Sequence, residues 1–322
     1  MAGKAKLDIA GLRGVWGLEQ LERTGLGAGK LARILVGGGI AASVLLYALL
    51  ARGVPGAGWV PFWVAAFLGS IIGVTALATI ALARSTQADL EGLLPVAPEV
   101  SPALALLNPS RGLLAALVML MSLMNLLAVN VSALMTMPDR GMEGLVAYWS
   151  QPWAFFIVLV QTPLAGGIQG VLYSTFATQV RALTHAARRI DVDVLELDQY
   201  PRVANPMVRV VVFGIVLLSL FPGLFVLEDS ILDRIMSLVT PVTVLTLLVV
   251  IGAYGYPVWI LKKRIRAAKD AELGYVFRSL RGDTDAMTHS RIAGRAGSLT
   301  FSELLDYRAF IESLWDWPVA PY

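Results

Sequence analysis

The chain has no cysteine among its 322 residues and only two histidines. Disulfides, thiolate metal sites and cysteine nucleophiles are therefore excluded. His185 and His289 stand far apart in sequence, so no histidine-based metal cluster is expected. Charge is also scarce: Asp, Glu, Lys and Arg make up 15% of the residues, against about 25% in an ordinary soluble domain. A soluble chain of this length needs a charged surface over its core, and most of this sequence has none to offer.

The missing charge is concentrated. Six stretches, 34–51, 53–83, 112–138, 144–180, 210–227 and 235–261, carry no Asp, Glu, Lys or Arg over 18 or more residues. A helix needs about 20 mostly apolar residues to cross a bilayer core of about 30 Å. The expectation is an all-α, polytopic membrane bundle of six transmembrane helices, over about 31–51, 59–83, 112–136, 152–175, 207–227 and 235–261. The fourth stretch is too long for one straight span. Residues 144–151 read as an outer interfacial turn, with Trp149 and Trp153 near the headgroups and the span beginning near Pro152. Trp59 and Trp63 on the second span and Trp259 on the sixth fit aromatic belts.

Orientation follows from the basic residues. The segments 1–33, 84–111, 181–209 and 262–322 hold 23 of the 26 Lys and Arg, and the alternate short loops hold the other 3. Cytoplasmic loops carry the excess of Lys and Arg, so both termini are expected inside, with the polar mass there too. The same placement argues against nucleic acid as a partner, because the basic residues flank apolar spans. Thirty mixed residues precede the first apolar run, so the first span is expected to act as an uncleaved anchor.

The flanks are expected to be helical. Residues 1–30 form an N-terminal region in which 7–22 set Leu7, Leu12, Val15, Trp16 and Leu18 on one face, suiting a helix at the membrane surface. Residues 262–322 form a cytoplasmic C-terminal region. Its basic opening, KKRIRAAKDAEL at 262–273, reads as a continuation of the sixth span among anionic headgroups. Residues 282–297 read as a loop. Thr300 and Glu303 read as a capping box, with Leu299 and Leu304 as a hydrophobic staple. The helix that follows carries Leu304, Leu305, Ile311, Leu314 and Trp315 at helical spacing and is expected to end at Pro318. Its apolar face needs its own bundle, a protein partner or lipid to cover it.

Inside the spans the polar inventory is short. Asn125, Asn130, Gln161 and Gln169 are candidates for a solute path; interhelical hydrogen bonding is the plainer role for the same amides. No Asp, Glu, Lys, Arg or His lies inside the uncharged stretches of the spans, which argues against proton-coupled transport and membrane catalysis. Gly69 with Gly73, and Gly166 with Gly170, form GxxxG pairs that allow close helix approach, within one chain or between copies. Pro163 frees a backbone carbonyl and marks a kink. TGLGAGK at 24–30 fails as a phosphate loop, since Thr24 stands where the first glycine is needed and Leu31 where Ser or Thr would hold magnesium. Asp191, Asp193, Glu196 and Asp198 form the densest oxygen-ligand group. A solvated loop paired with Arg188, Arg189 and Arg202 is the expected reading, and cation binding through Asp191 and Asp193 the alternative.

The stalk IRAAKDAEL (265–273), the closing YRAFIESLWDWP (307–318) and the connector VDVLEL (192–197) resemble segments of a family of bacterial multi-pass inner-membrane proteins. The resemblance implies a bacterial cytoplasmic membrane and an N-in, C-in topology. It brings no activity, cofactor or catalytic residue with it.

The expected protein is non-enzymatic, without a cofactor, embedded in a lipid bilayer and open to homo-oligomerisation. The expected function is that of a channel or transporter-like protein for an ion, small solute or lipid; the alternative is a scaffold or sensor subunit that meets a cytoplasmic protein through its C-terminal helices.

Overall fold

A computed structural model describes residues 28–51, 59–136, 143, 146–147, 149–151, 156–218, 229–283, 285–293 and 300–318. The expected helix at 7–22, Trp153, Leu299 and the side chains of Trp59 and Trp63 lie outside the described positions. Among the described residues the regular structure is helical, with no strand. The main helices are α1 (Ala28–Ala51), α2 (Trp59–Leu93), α3 (Ser101–Leu106), α4 (Arg111–Thr136), α5 (Thr162–Arg189), α6 (Pro201–Leu218), α7 (Asp229–Leu280) and α8 (Phe301–Ser313).

Among the described residues, three stretches are long and apolar enough to cross a membrane: Gly69–Leu93, Arg111–Ala128 and Val244–Leu280. They fit a membrane protein built on transmembrane helices. The surface agrees. Met119 is 72% exposed, and Leu120, Leu123, Met124 and Leu127 of α4 and Leu245, Leu248 and Val249 of α7 are also exposed. Exposed apolar faces of this kind are costly in water and natural against lipid.

Several helices differ in extent from the spans read in the sequence. The third span, expected over 112–136, coincides with α4. The second span, expected to end at 83, continues to Leu93. Its extension RSTQADLEGL is polar but made mostly of competent helix formers, and Ala83, Thr86, Leu90 and Leu93 give it a buried stripe at helical spacing. The fifth begins at Pro201 rather than 207, with proline at the first helical position, where its missing N–H costs nothing. The fourth runs on to Arg189 and is preceded by a π-helical turn, Ile157–Gln161. Pro163 sits just after that turn. It has no N–H to return to residue 159, and its ring crowds that carbonyl, so the backbone widens there.

The chain divides into two compact units. The first gathers 1–85, 105–179 and 209–250; the second gathers 86–104, 180–208 and 251–322. In the first, glycine sets the helix spacing. A Cβ added to Gly170 would lie 2.5 Å from the Val118 Cα, and one added to Gly166 would lie 2.6 Å from the Met121 carbonyl oxygen and the Ser122 Cα. Helices α4 and α5 therefore touch backbone to backbone. Gly39 of α1 meets Gly69 and Gly73 of α2 in the same way, its added Cβ falling 2.9 Å from the Gly69 carbonyl oxygen. These glycines are used within the chain.

The second unit has a core of ordinary kind. Along α7 the buried stripe runs Tyr254, Val258, Leu261, Ile265, Lys269, Glu272 and Val276, steps of three and four that hold one face of the helix inward. Val276 packs with Met287 and with Leu304 of α8, and Tyr275, Leu280, Ile292 and Tyr307 close around them.

Candidate functional site

The span amides are the candidates for a solute path. Asn125 Nδ2 of α4 donates to Gln169 Oε1 of α5 at 3.1 Å. One helical turn away on α4, Ser122 Oγ donates to the Pro163 carbonyl at 3.0 Å. Asn130 Nδ2 donates to the Leu126 carbonyl at 2.8 Å, and its Oδ1 accepts from Trp149 Nε1 at 2.9 Å. Gln161 lies in the π-helical turn and is buried with Thr162. The close glycine contacts explain the first pair: backbones this near leave room for short amides to meet across the helices. Each such bond adds about 1 kcal/mol in a membrane.

The acidic connector is the second candidate. Asp191 and Asp193 do not share a ligand-like arrangement. Asp191 Oδ1 accepts from Arg291 Nη2 at 3.0 Å, and the Asp191 N–H donates to Glu99 Oε1 at 2.9 Å. Asp193 Oδ1 caps the Leu195 N–H at 2.9 Å, and the Asp193 N–H donates to the Tyr200 hydroxyl at 2.8 Å. The expected partners are therefore corrected. Arg188 donates to the Tyr256 hydroxyl at 3.1 Å and Arg202 to the Gly92 carbonyl, while Asp191 takes the distant Arg291. Asp191 raises the Arg291 pKa by hydrogen bonding, and burial raises that of Tyr200. Among the described residues no group of three or more His, Asp or Glu is placed to hold a metal ion.

The most developed polar centre was not singled out in the sequence. Glu272 of α7 is 3% exposed. Its Oε1 accepts from the Ser290 hydroxyl, from the Tyr307 hydroxyl at 2.8 Å and from the Arg291 N–H at 3.1 Å. Three donors from two other segments thus converge on one buried carboxylate, which is how a buried charge is made tolerable. Burial and the hydrogen bond to this carboxylate push the Tyr307 phenol up. One turn earlier, buried Lys269 donates to the Leu314 carbonyl and to Asp316 Oδ1, the latter at 2.9 Å. The signal was present in the sequence as Lys269 and Glu272 falling in step with Ile265 and Val276.

These contacts fix the tail. The Thr300 side chain accepts from the Glu303 N–H at 3.3 Å, and Glu303 Oε2 accepts from the Thr300 N–H at 2.7 Å, closing the expected capping box. The same contacts hold the Glu303 carboxyl below its usual range. The helix ends at Ser313, short of Pro318. Beyond it, Lys269 holds the Leu314 carbonyl and Asp316. Of the five tail residues proposed for partner contact, Leu304 and Ile311 are buried within the unit, Leu314 is half-buried, and Leu305 and Trp315 remain exposed.

Glu272 is held by donors from residues 290–291 and from α8, so the centre clasps these segments to α7. Comparison with protein-family models, curated proteins and solved structures finds no match to this chain.

Proposed function

We propose that the chain is a non-enzymatic scaffold or sensor subunit of a bacterial cytoplasmic membrane, anchored by six spans and acting through its second unit on the cytoplasmic side. One observation carries the choice over a permeation protein: Asn125, Asn130 and Gln169 each make a hydrogen bond within the helical packing. Amides that bond to each other and to the backbone add to helix association and offer nothing to a passing solute. The polar construction of the molecule is spent instead on the second unit, around Glu272 and Lys269. Orientation rests on the distribution of Lys and Arg. Within α8, Phe301, Leu305 and Phe310 are exposed apolar positions open to a cytoplasmic protein partner.

A channel or transporter is the second reading, favoured by the π-helical turn at 157–161 with Gln161 buried in it. Such turns recur at functional sites. Ion and solute flux through the purified protein in vesicles separates the two readings. The scaffold reading predicts flux no greater than that of empty vesicles, for the intact protein and for Asn125→Ala alike. A selective flux abolished by Gln161→Ala or Asn125→Ala overturns it.

A further inference from the structure

The end of the tail returns to the place on α7 where the apolar sequence stops. Residues 235–261 carry no charge, and Lys262, Lys263, Arg264 and Arg266 follow at once. Trp259 and Lys263 are one turn apart, and the Lys263 ammonium lies 3.7 Å from the centre of the Trp259 ring. Tyr256 stacks on Trp259, ring centres 6.1 Å apart. The Lys262 ammonium lies 3.8 Å from the centre of the Trp317 ring. An indole from the last residues of the chain thus shares a level with the first charge after the apolar length of α7.

The outward placement of these rings follows from the Lys269 clasp. Leu314 is extended (ψ 141°). The chain then bends through 316–318, and exposure alternates along it, with Leu314 and Asp316 half-buried and Trp315 and Trp317 exposed. The Leu314 carbonyl and Asp316 are captured by Lys269, and Pro318 is buried. Trp315 and Trp317 are thereby turned outward, 60% and 48% exposed. Asp316, the acidic group of this segment, is paired with Lys269. Amphipathic rings beside lysines, at the end of an apolar span, have the composition of a membrane–water interface.

We infer that Trp315 and Trp317, with Trp259, Lys262 and Lys263 of α7, form a seat for the headgroups of anionic phospholipids. The indoles lie in the headgroup layer with their N–H groups available to phosphate or glycerol oxygens. The two ammonium groups, each already against a ring, supply the charge that prefers an anionic lipid to a zwitterionic one. The tail then serves as a lipid contact at this end, and Trp315 is removed from the surface left for a protein partner. The inference rests on α7 crossing the membrane, and stands whether or not the chain is a scaffold.

The absence of cysteine makes the test direct. Nitroxides are placed singly at Trp315→Cys and Trp317→Cys in the full chain, each variant keeping the other tryptophan. Labels at Leu248→Cys on α7 and Ser302→Cys on α8 serve as references. The proteins are reconstituted in phosphatidylcholine vesicles with and without phosphatidylglycerol. Accessibility to oxygen and to a water-soluble nickel chelate is then read by electron paramagnetic resonance. The expected result is a lipid-like signal at 248, a water-like signal at 302, and intermediate values at 315 and 317 that shift toward lipid when phosphatidylglycerol is present. Water-like signals at 315 and 317 with a lipid-like signal at 248 overturn the seat and leave the membrane span standing. A water-like signal at 248 overturns the span and the seat together. The charge component has its own readout. Lys262→Gln, with all tryptophans in place, lowers the phosphatidylglycerol retained over phosphatidylcholine in native mass spectrometry about fivefold; unchanged retention contradicts it.

Discussion

The two units of this chain solve one problem, holding helices together, by different means. In the first, α4 and α5 meet where Gly166 and Gly170 admit the facing backbone, and the polar contacts are single bonds such as Asn125 to Gln169. In the second, segments remote in sequence are drawn onto α7 by a buried carboxylate with three donors and a buried ammonium with two acceptors. Lipid tails are as apolar as leucine, so burying leucine in a bilayer gives little association and close packing must supply it. Where water competes, a hydrophobic core such as Val276, Met287 and Leu304 forms readily, and convergent polar groups then fix which segments meet.

The contrast can be broken from either side. Gly170→Leu should have the largest effect: a side chain cannot enter where even a Cβ meets the Val118 Cα at 2.5 Å. We expect α4 and α5 to separate, with a loss of about 4 kcal/mol or more in a denaturant titration in detergent. Glu272→Ala should come next. It leaves Ser290, the Arg291 N–H and the Tyr307 hydroxyl without their shared acceptor, at a cost of about 3 kcal/mol confined to the second unit. Hydrogen exchange should rise over 285–293 and 300–313 and stay unchanged in α4. Asn125→Ala removes one interhelical bond and should cost about 1 kcal/mol. A loss as large as that of Gly170→Leu would show that polar bonds, and not proximity, hold the first unit.

The smallest effect should be local. Thr300→Ala removes the cap of α8 and should cost about 1 kcal/mol, seen as fraying of 300–304 and nothing elsewhere. Acid should mimic it. The Glu303 carboxyl is held below its usual value of 4.5 by Thr300, so its contribution is complete above that value and is lost as pH falls through the lower folded pKa. Tyr307 has the opposite sign. Its phenol is raised above 10.0, so the second unit should be unaffected below that pH and weaken as pH rises beyond it. Circular dichroism across both pH limits checks the two signs.

The sequence made the apolar architecture readable because lipid imposes a long one-dimensional pattern. Helix α4 covers the residues read as the third span, α7 continues past Lys262, and the capping box at Thr300 is visible in four residues. The extension of α2 to Leu93 was obscured because its charged residues resemble a loop, while its buried stripe emerges only once a partner surface exists. Arg291 as the partner of Asp191 could not be read at all. The two are 100 residues apart, and three nearer arginines offered themselves. Pro318 reads as the end of α8, whereas the helix stops at Ser313 and the clasp on Leu314 and Asp316 acts after it. Clasps of this kind depend on which segments meet, and that is settled by tertiary packing.

The proposed scaffold role requires residues 262–318 to face the cytoplasm and the loop at 139–143 to face the opposite side. Single cysteines at Glu143 and Ser302, in an otherwise cysteine-free chain, test this with a membrane-impermeant thiol reagent on intact cells. The account predicts labelling of Glu143→Cys from outside and of Ser302→Cys only after the membrane is opened. Labelling of Ser302→Cys in intact cells, with Glu143→Cys protected, would contradict it.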